Sequence, residues 1–165
     1  MPGKILVSKC LIGTPCAYDG KDRLDLSVAK ICNFFGYLDV CPETEGGLPC
    51  PRESFEIRGG TGEDVLDGKA RVVSVSGRDC TRNFLKGAEI ALRKVLEYKI
   101  RTAIFKARSP SCGKCAIYSG FFDGSIKPGN GVTTALLLRN KVKVYSEEDL
   151  DFFFADESFQ ETGCR

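Results

Sequence analysis

The organisation of the chain is clearest in the stretch Tyr37-Leu38-Asp39-Val40-Cys41-Pro42-Glu43-Thr44-Glu45-Gly46-Gly47-Leu48. A short apolar run, residues 37–40, leads directly into a cysteine, a carboxylate and a glycine pair. We interpret the run as a strand of a parallel sheet and the residues after it as the loop at its carboxyl end. Ligands and reactive groups collect at such strand ends, so the stretch predicts a functional site around Cys41 and Glu43.

Two further stretches have the same layout. The apolar run Lys4–Ser8 leads into Cys10, and the run Thr102–Ala107 leads into Ser109-Pro110-Ser111-Cys112-Gly113. Parallel strands present their carboxyl ends at one edge of a sheet. We therefore expect the cysteines that follow the three strands to meet at that edge.

Helical patterns alternate with these strands. Apolar residues recur at helical spacing over residues 26–35, over 84–96 and after the turn at 129–131. Additional strands are expected at Arg71–Val75 and Lys141–Tyr145. The alternation predicts a single-domain α/β fold, Rossmann-like, with a mainly parallel central sheet flanked by helices.

The remaining segments carry weaker signals. The polar, Gly- and Pro-rich segment Cys41–Gly68 is longer than an ordinary connection, which favours a functional loop. A short hairpin is expected around Phe121–Gly124, and Ser146 begins an acidic first turn of a C-terminal helix. We expect one domain over residues 1–165, with a frayed tail at 157–165.

Composition narrows the class of protein. The chain has 165 residues, of which 42% are hydrophobic and 28% charged, and a formal net charge of +2. These values are typical of a globular domain and favour neither nucleic acid nor a membrane as partner. The N-terminus lacks the apolar segment of a signal peptide, so we expect a cytoplasmic protein. The oligomeric state is left open.

The cysteine content restricts the chemistry. The chain has nine cysteines, an odd number, and no histidine. A disulfide framework is not expected in a chain of this size without an export signal. The absence of histidine removes the commonest metal ligand and the commonest general base. Any metal site must therefore use thiolates or carboxylates.

Sequence context separates the cysteines into two groups. We expect Cys32 to be buried on a helix, Cys80 to be structural at a helix start, and Cys164 to be an exposed bystander in the tail. The other six lie in predicted loops: Cys10, Cys16, Cys41, Cys50, Cys112 and Cys115. The C-x-x-C formed by Cys112 and Cys115 is compatible with a redox pair, half of a zinc site or neither.

A glycine-rich turn is a second candidate for ligand binding. Gly129-Asn130-Gly131 precedes Thr133 at a predicted helix start, where free backbone N–H groups attract an anionic or carbonyl-bearing ligand. We therefore predict substrate contacts at Gly131 and Thr133, with a plain turn and helix start as the alternative. The stretch lacks the pattern of a nucleoside-triphosphate loop.

Three motifs together resemble a known family. They are Cys10-Leu11-Ile12-Gly13 through Tyr18-Asp19-Gly20, Cys41-Pro42-Glu43 with Gly47-Leu48 and Pro51-Arg52, and Ser109-Pro110-Ser111-Cys112-Gly113. In this order and spacing the chain is similar to the 2-thiouracil desulfurases, a family that includes many relatives catalogued as a domain of unknown function. The likeness extends from residue 5 to about residue 138.

The resemblance implies a cofactor, a substrate and a set of site residues. Cys10, Cys41 and Cys112 would be the ligands of a [4Fe–4S] cluster, and Glu43 and Ser109 would be catalytic. The substrate would be a small thiolated base. The family pattern gives no role to Cys16, Cys50 or Cys115, although Cys50 or Cys115 is available as a fourth thiolate.

The chemistry of these residues agrees with that implication. Thiolates are the usual ligands of iron–sulfur clusters, and three of them leave one iron open to an incoming sulfur. Glu43 is then available for proton transfer, unless it is simply paired with Arg52. Ser109 precedes a proline and is equally well explained as a turn residue.

Two other functions are compatible with the same residues. One is a zinc hydrolase of a nucleobase-like substrate, in which Cys41, Cys112 and Cys115 hold the metal and Glu43 acts as the base. The other is a non-catalytic module that carries sulfur or senses redox state.

Overall fold

The structure, a computed structural model, describes residues 3–161, with side chains described as far as residue 156. Its elements in chain order are β1 (Ile5–Ser8), a 3₁₀ helix (Lys9–Ile12), α1 (Leu26–Phe35), β2 (Tyr37–Val40), α2 (Pro42–Glu45), β3 (Phe55–Arg58), α3 (Gly62–Leu66), β4 (Arg71–Ser74), α4 (Thr81–Glu97), β5 (Thr102–Phe105), β6 (Ala116–Tyr118), β7 (Ile126–Pro128), α5 (Val132–Arg139), β8 (Lys143–Ser146) and α6 (Leu150–Glu161).

The central sheet has four parallel strands in the order β2-β1-β5-β8. Its register places Ser8 beside Val40 and Phe105 beside Ser146, so the carboxyl ends of the strands are aligned at one edge. Strands β1 and β5 are buried along their whole length, as expected for a parallel sheet covered on both faces. The predicted α/β class, with a mainly parallel central sheet, is confirmed.

Helices cover both faces of this sheet, and alternate residues of β1 point to opposite layers. Ile5 and Val7 pack with Val28 and Ile31 of α1 and with Phe153 of α6. On the opposite face, Leu6 belongs to a cluster with apolar residues of β5, β8, α4 and α5: Ala91, Val95, Ala103, Phe105, Leu137 and Val144. The period of two along the strand and the apolar stripes of the helices together build this layered core.

The segment 41–68 is more regular than predicted. It contains α2, β3 and α3, and β3 pairs antiparallel with β4 in a separate sheet, with Ile57 opposite Val72. The strand expected at Arg71–Val75 is therefore real but lies outside the central sheet. Phe55, Ile57 and Val72 bury their side chains against Phe84 of α4, and this burial gives the small sheet its own core.

The predicted hairpin and C-terminal helix are both present. In the hairpin, β6 and β7 pair antiparallel around residues 119–125. Helix α6 begins at Leu150, after a turn at Ser146–Asp149, and its backbone continues to Glu161. The rest of the tail expected to be frayed, including Cys164, lies outside the described residues. Within the described part of the chain, no helix has both the length and the apolar character needed to cross a membrane.

Candidate active site

A cavity of about 490 Å³ lies at the carboxyl-terminal edge of the central sheet. Cys10, Cys41 and Cys112 all line it, with exposed fractions of 9%, 8% and 4%. They follow β1, β2 and β5, which are adjacent strands. The structure thus brings together the three thiols that the strand pattern placed at one edge.

Local hydrogen bonds fix the backbone of each of these cysteines. Cys10 lies in the 3₁₀ helix, and its carbonyl accepts the Arg23 N–H at 2.8 Å. Cys41 is the N-cap residue of α2, and its N–H donates to Oε2 of Glu45 at 2.8 Å. The Cys112 carbonyl accepts the Thr134 hydroxyl at 2.8 Å. The thiols therefore sit on fixed backbone, as a metal centre requires.

Cys16 is a fourth thiol on the cavity wall, and it is buried. A hydrogen bond with the Cys10 thiol raises the pKa of Cys16 to about 11, with burial adding to the rise and the Cys41 thiol opposing it. The contact with Cys16, followed by burial, raises the pKa of Cys41. Sequence reasoning gave Cys16 no role, because only the folded loop shows that it joins Cys10 and Cys41.

Burial raises the pKa of Cys112 to about 12. Uncomplexed, this thiol keeps its proton at neutral pH, whereas a coordinated metal deprotonates a thiol outright. Loading of the site with metal must therefore release protons.

The donor set fits a cluster better than a single ion. Across the described residues, no three Cys, Asp or Glu side chains converge closely enough to hold one metal ion. The ligand sulfurs of a four-iron cluster are separated by the width of the cluster, and several soft thiolates around one cavity suit that geometry. Cys10, Cys41 and Cys112, buried on the wall of one cavity, supply thiolates of the kind that such a group binds.

The two exposed loop cysteines lie away from the cavity wall. Cys50 places its sulfur 3.3 Å from the Pro15 carbonyl oxygen, and the Cys115 N–H donates to Asn130 Oδ1 at 2.9 Å. A zinc site made of Cys41, Cys112 and Cys115 does not match this arrangement. Neither exposed cysteine is placed to add a fourth thiolate.

Glu43 is buried in the cavity wall and is held by two partners. Its Oε2 accepts a hydrogen bond from Nε of Arg52 at 2.7 Å and lies 2.7 Å from Nη2, and its Oε1 accepts from the Ser111 hydroxyl at 3.1 Å. Burial alone would lower the pKa of Arg52, but the charge and hydrogen bond of Glu43 raise it overall. The site therefore contains a buried carboxylate with a fixed orientation.

A chain of hydroxyls connects Glu43 to the third cysteine. The Ser109 and Ser111 Oγ atoms are 2.9 Å apart, and Ser109 Oγ also accepts the Cys112 N–H at 3.1 Å. Ser109 thus acts as a turn residue and lines the cavity at the same time. Ser111 is not among the predicted site residues, although it belongs to the Ser109-Pro110-Ser111-Cys112-Gly113 motif.

Gly131 and Thr133 lie behind the cysteine loop and do not line the cavity. A Cβ at Gly131 would meet the Ser111 carbonyl carbon at 2.5 Å, and the Thr133 N–H donates to the Ser111 carbonyl at 2.8 Å. The Thr133 Oγ1 is buried and finds no hydrogen-bond partner among the described residues. The start of α5 therefore supports the backbone of Cys112 from behind.

The fold and the site together define a class: an α/β protein whose strand ends present thiols and a buried, ion-paired carboxylate to one cavity. Comparison with known proteins identifies the family within this class. A model of the 2-thiouracil desulfurase family matches residues 5–149, and the chain belongs to this family.

Two relatives extend this result. The chain is 43% identical over 147 residues to the uncharacterized protein YbbK of Bacillus subtilis (strain 168), covering 89% of this chain and 97% of that protein. Among solved structures it is similar to the [4Fe-4S]-dependent thiouracil desulfidase TudS, with 40% identity and a TM-score of 0.84. That match covers 95% of this chain and 99% of TudS.

Proposed function

We propose that the protein is a [4Fe–4S]-dependent desulfurase that converts a thiolated pyrimidine such as 2-thiouracil to its oxo form and releases sulfide. The observation that carries the proposal is the convergence of Cys10, Cys41 and Cys112 on one cavity that also contains the carboxylate of Glu43. Membership of the 2-thiouracil desulfurase family and the likeness to TudS support the same conclusion.

Cys10, Cys41 and Cys112 would hold the cluster. A [4Fe–4S] cluster with three thiolate ligands supplies one iron with an open position, a soft Lewis acid suited to a thiocarbonyl sulfur. Because the three cysteines come from loops after adjacent strands, the fold itself sets their separation.

Glu43 would handle the protons of the reaction. The oxygen of the product comes from water, the carbon–sulfur bond breaks, and sulfur leaves as sulfide, so no net electron transfer is required. One proton must leave the attacking water, and a carboxylate in the cavity wall is suited to accept it. Arg52 and Ser111 hold the two oxygens of Glu43 and limit its rotation.

Ser109 would share this task. Its hydroxyl lies within hydrogen-bond distance of the Ser111 hydroxyl, which in turn reaches Oε1 of Glu43. This chain of groups offers a route for a proton between Glu43 and the part of the cavity next to Cys112. Gly131 and Thr133 would contribute indirectly, by holding the Ser111–Cys112 backbone.

The direct test is anaerobic incubation of cluster-loaded protein with 2-thiouracil and no electron donor. We expect uracil and sulfide in equal amounts, and neither product from protein stripped of its cluster. A loaded protein that binds 2-thiouracil and forms no uracil would contradict the proposal and favour a sulfur-carrying module.

A further inference from the structure

The tip of the β6–β7 hairpin has an unusual backbone. Phe122 has a φ of 56°, in the left-handed region that a bulky side chain rarely adopts. Such a conformation persists only where the surroundings impose it, and it is often found at functional sites. The neighbouring glycines, Gly120 and Gly124, also have positive φ and adopt it without that cost.

A buried carboxylate binds two backbone N–H groups of this hairpin tip. Glu56 on β3 is 7% exposed, and its Oε2 accepts the N–H groups of Gly120 at 2.7 Å and of Phe122 at 3.0 Å. Arg58 adds a hydrogen bond from Nε to the Gly120 carbonyl at 3.3 Å. The hairpin tip is thus attached to the small β3–β4 sheet by groups that lie outside the catalytic network.

Both residues that the Glu56–Phe122 hydrogen bond joins lie at the cavity. Glu56 and Phe122 line the same cavity as the three cysteines, and Phe122 is partly buried. The adjacent Phe121 is 73% exposed and does not line it. The two phenylalanines are consecutive in sequence, but only Phe122 lines the cavity. Phe121 is therefore a matched control for Phe122.

We propose that Phe122 packs against the ring of the substrate, and that Glu56 is a positioning residue that holds Phe122 there. The inference rests on the proposed function, since it takes the substrate to be a planar thiolated base. Every pyrimidine has a π-face, and packing of a base on an aromatic ring contributes to binding without selecting particular exocyclic groups.

Substitution of Phe122 tests the ring contact. F122A is expected to weaken binding of uracil, the product, by about 10- to 100-fold, and to raise KM for 2-thiouracil with kcat per cluster unchanged. F122Y keeps an aromatic ring, so its uracil affinity and its KM are expected to equal those of the parent. F121A is expected to leave both values unchanged. Equal uracil affinity in F122A and the parent, or equal losses in F121A and F122A, would overturn the inference.

Substitution of Glu56 tests the positioning role. E56L removes the acceptor and is expected to raise KM as F122A does, whereas E56Q keeps one oxygen that accepts both N–H groups and is expected to resemble the parent. Because both changes act on one contact, E56L combined with F122A should add little to F122A alone. Full additivity, or a lower melting temperature without any change in KM, would assign Glu56 a structural role only.

Measuring uracil binding separately from turnover distinguishes the two hypotheses. If the parent forms no uracil from 2-thiouracil, the proposed function fails, and calorimetry still reports on the ring contact. Weaker uracil binding by F122A than by the parent would then still support the contact between Phe122 and the ring. A parent protein that binds no uracil at all would contradict that contact.

Discussion

Nε and Nη2 of Arg52 both lie 2.7 Å from a single oxygen of Glu43, in a pair whose side chains are 3% and 11% exposed. The second oxygen of the carboxylate is left for the Ser111 hydroxyl. One carboxylate oxygen is thus fixed by charge while the other faces the hydroxyl chain of the cavity. This division of roles suits a group that moves protons and does not itself rotate.

Glu43→Gln is expected to lower turnover per cluster by about 100- to 10,000-fold, the usual contribution of positioned proton transfer. The amide fills a similar volume and keeps an acceptor for Arg52, so iron content should equal that of the parent. Single-turnover formation of uracil, normalised to iron, measures the effect.

The matched control for that change is Glu45→Gln. Glu45 is bound by Lys94 at 2.7 Å and by the Cys41 N–H, and it does not line the cavity. Because the amide oxygen of Gln still accepts the Cys41 N–H, this replacement is expected to affect stability through Lys94 but not turnover per cluster. A parental rate in Glu43→Gln, or the same loss in both variants, would refute the catalytic assignment.

Arg52→Met is expected to lower the free energy of unfolding by about 3–5 kcal/mol, because it leaves the buried carboxylate of Glu43 without its counter-charge. Adding Glu43→Gln to Arg52→Met should recover part of the loss. Urea denaturation at matched iron content measures both.

Arg78→Met provides the comparison for Arg52. Arg78 forms an ion pair with Glu53 at 2.8 Å, but its side chain is 60% exposed. Its loss should leave stability nearly unchanged. Similar losses in the two variants would show that the burial of the Arg52 pair is energetically unimportant.

Gly87→Ala tests how α4 positions the site. In an open helix this change would stabilise by about 1 kcal/mol, but here the new Cβ would lie 1.9 Å from the Pro42 carbonyl oxygen. We expect a net destabilisation of about 1–3 kcal/mol, together with reduced iron content, since Pro42 separates Cys41 from Glu43. Glu89→Ala, at an exposed position of the same helix, should show neither effect. A stabilised, fully loaded Gly87→Ala would contradict the close approach of α2 and α4.

The thiols outside the cavity are expected to differ in reactivity. Burial raises the pKa of Cys32 to about 11, so at pH 8 it stays protonated as well as shielded, whereas Cys50 is exposed. Brief alkylation of the native protein followed by peptide mass spectrometry should label Cys50 and leave Cys32 unmodified. Comparable labelling of both would show that α1 opens readily.

The strand–cysteine layout could be read from sequence because it depends on local pattern. The runs before Cys41 and Cys112 are apolar and short, and parallel pairing of β1, β2 and β5 brings their ends together. The register of a parallel sheet then fixes which loops meet, without further information.

The contacts between loops could not be read in the same way. β3 is not apparent in the sequence because Phe55–Arg58 lies in a polar, Gly- and Pro-rich segment. Its pairing with β4, the attachment of Phe122 to Glu56 and the approach of Cys16 to Cys10 all depend on long-range packing. Sequence spacing carries no signal for such contacts.

The measurement that most directly tests the central claim is iron, acid-labile sulfide and zinc analysis of protein purified and reconstituted without oxygen. We expect brown protein with about four irons and four sulfides per chain, with the cluster lost from Cys10→Ser, Cys41→Ser and Cys112→Ser. Cys32→Ser and Cys80→Ser, buried but off the cavity wall, should keep it. Colourless protein with stoichiometric zinc, or a cluster retained in Cys112→Ser, would contradict the account.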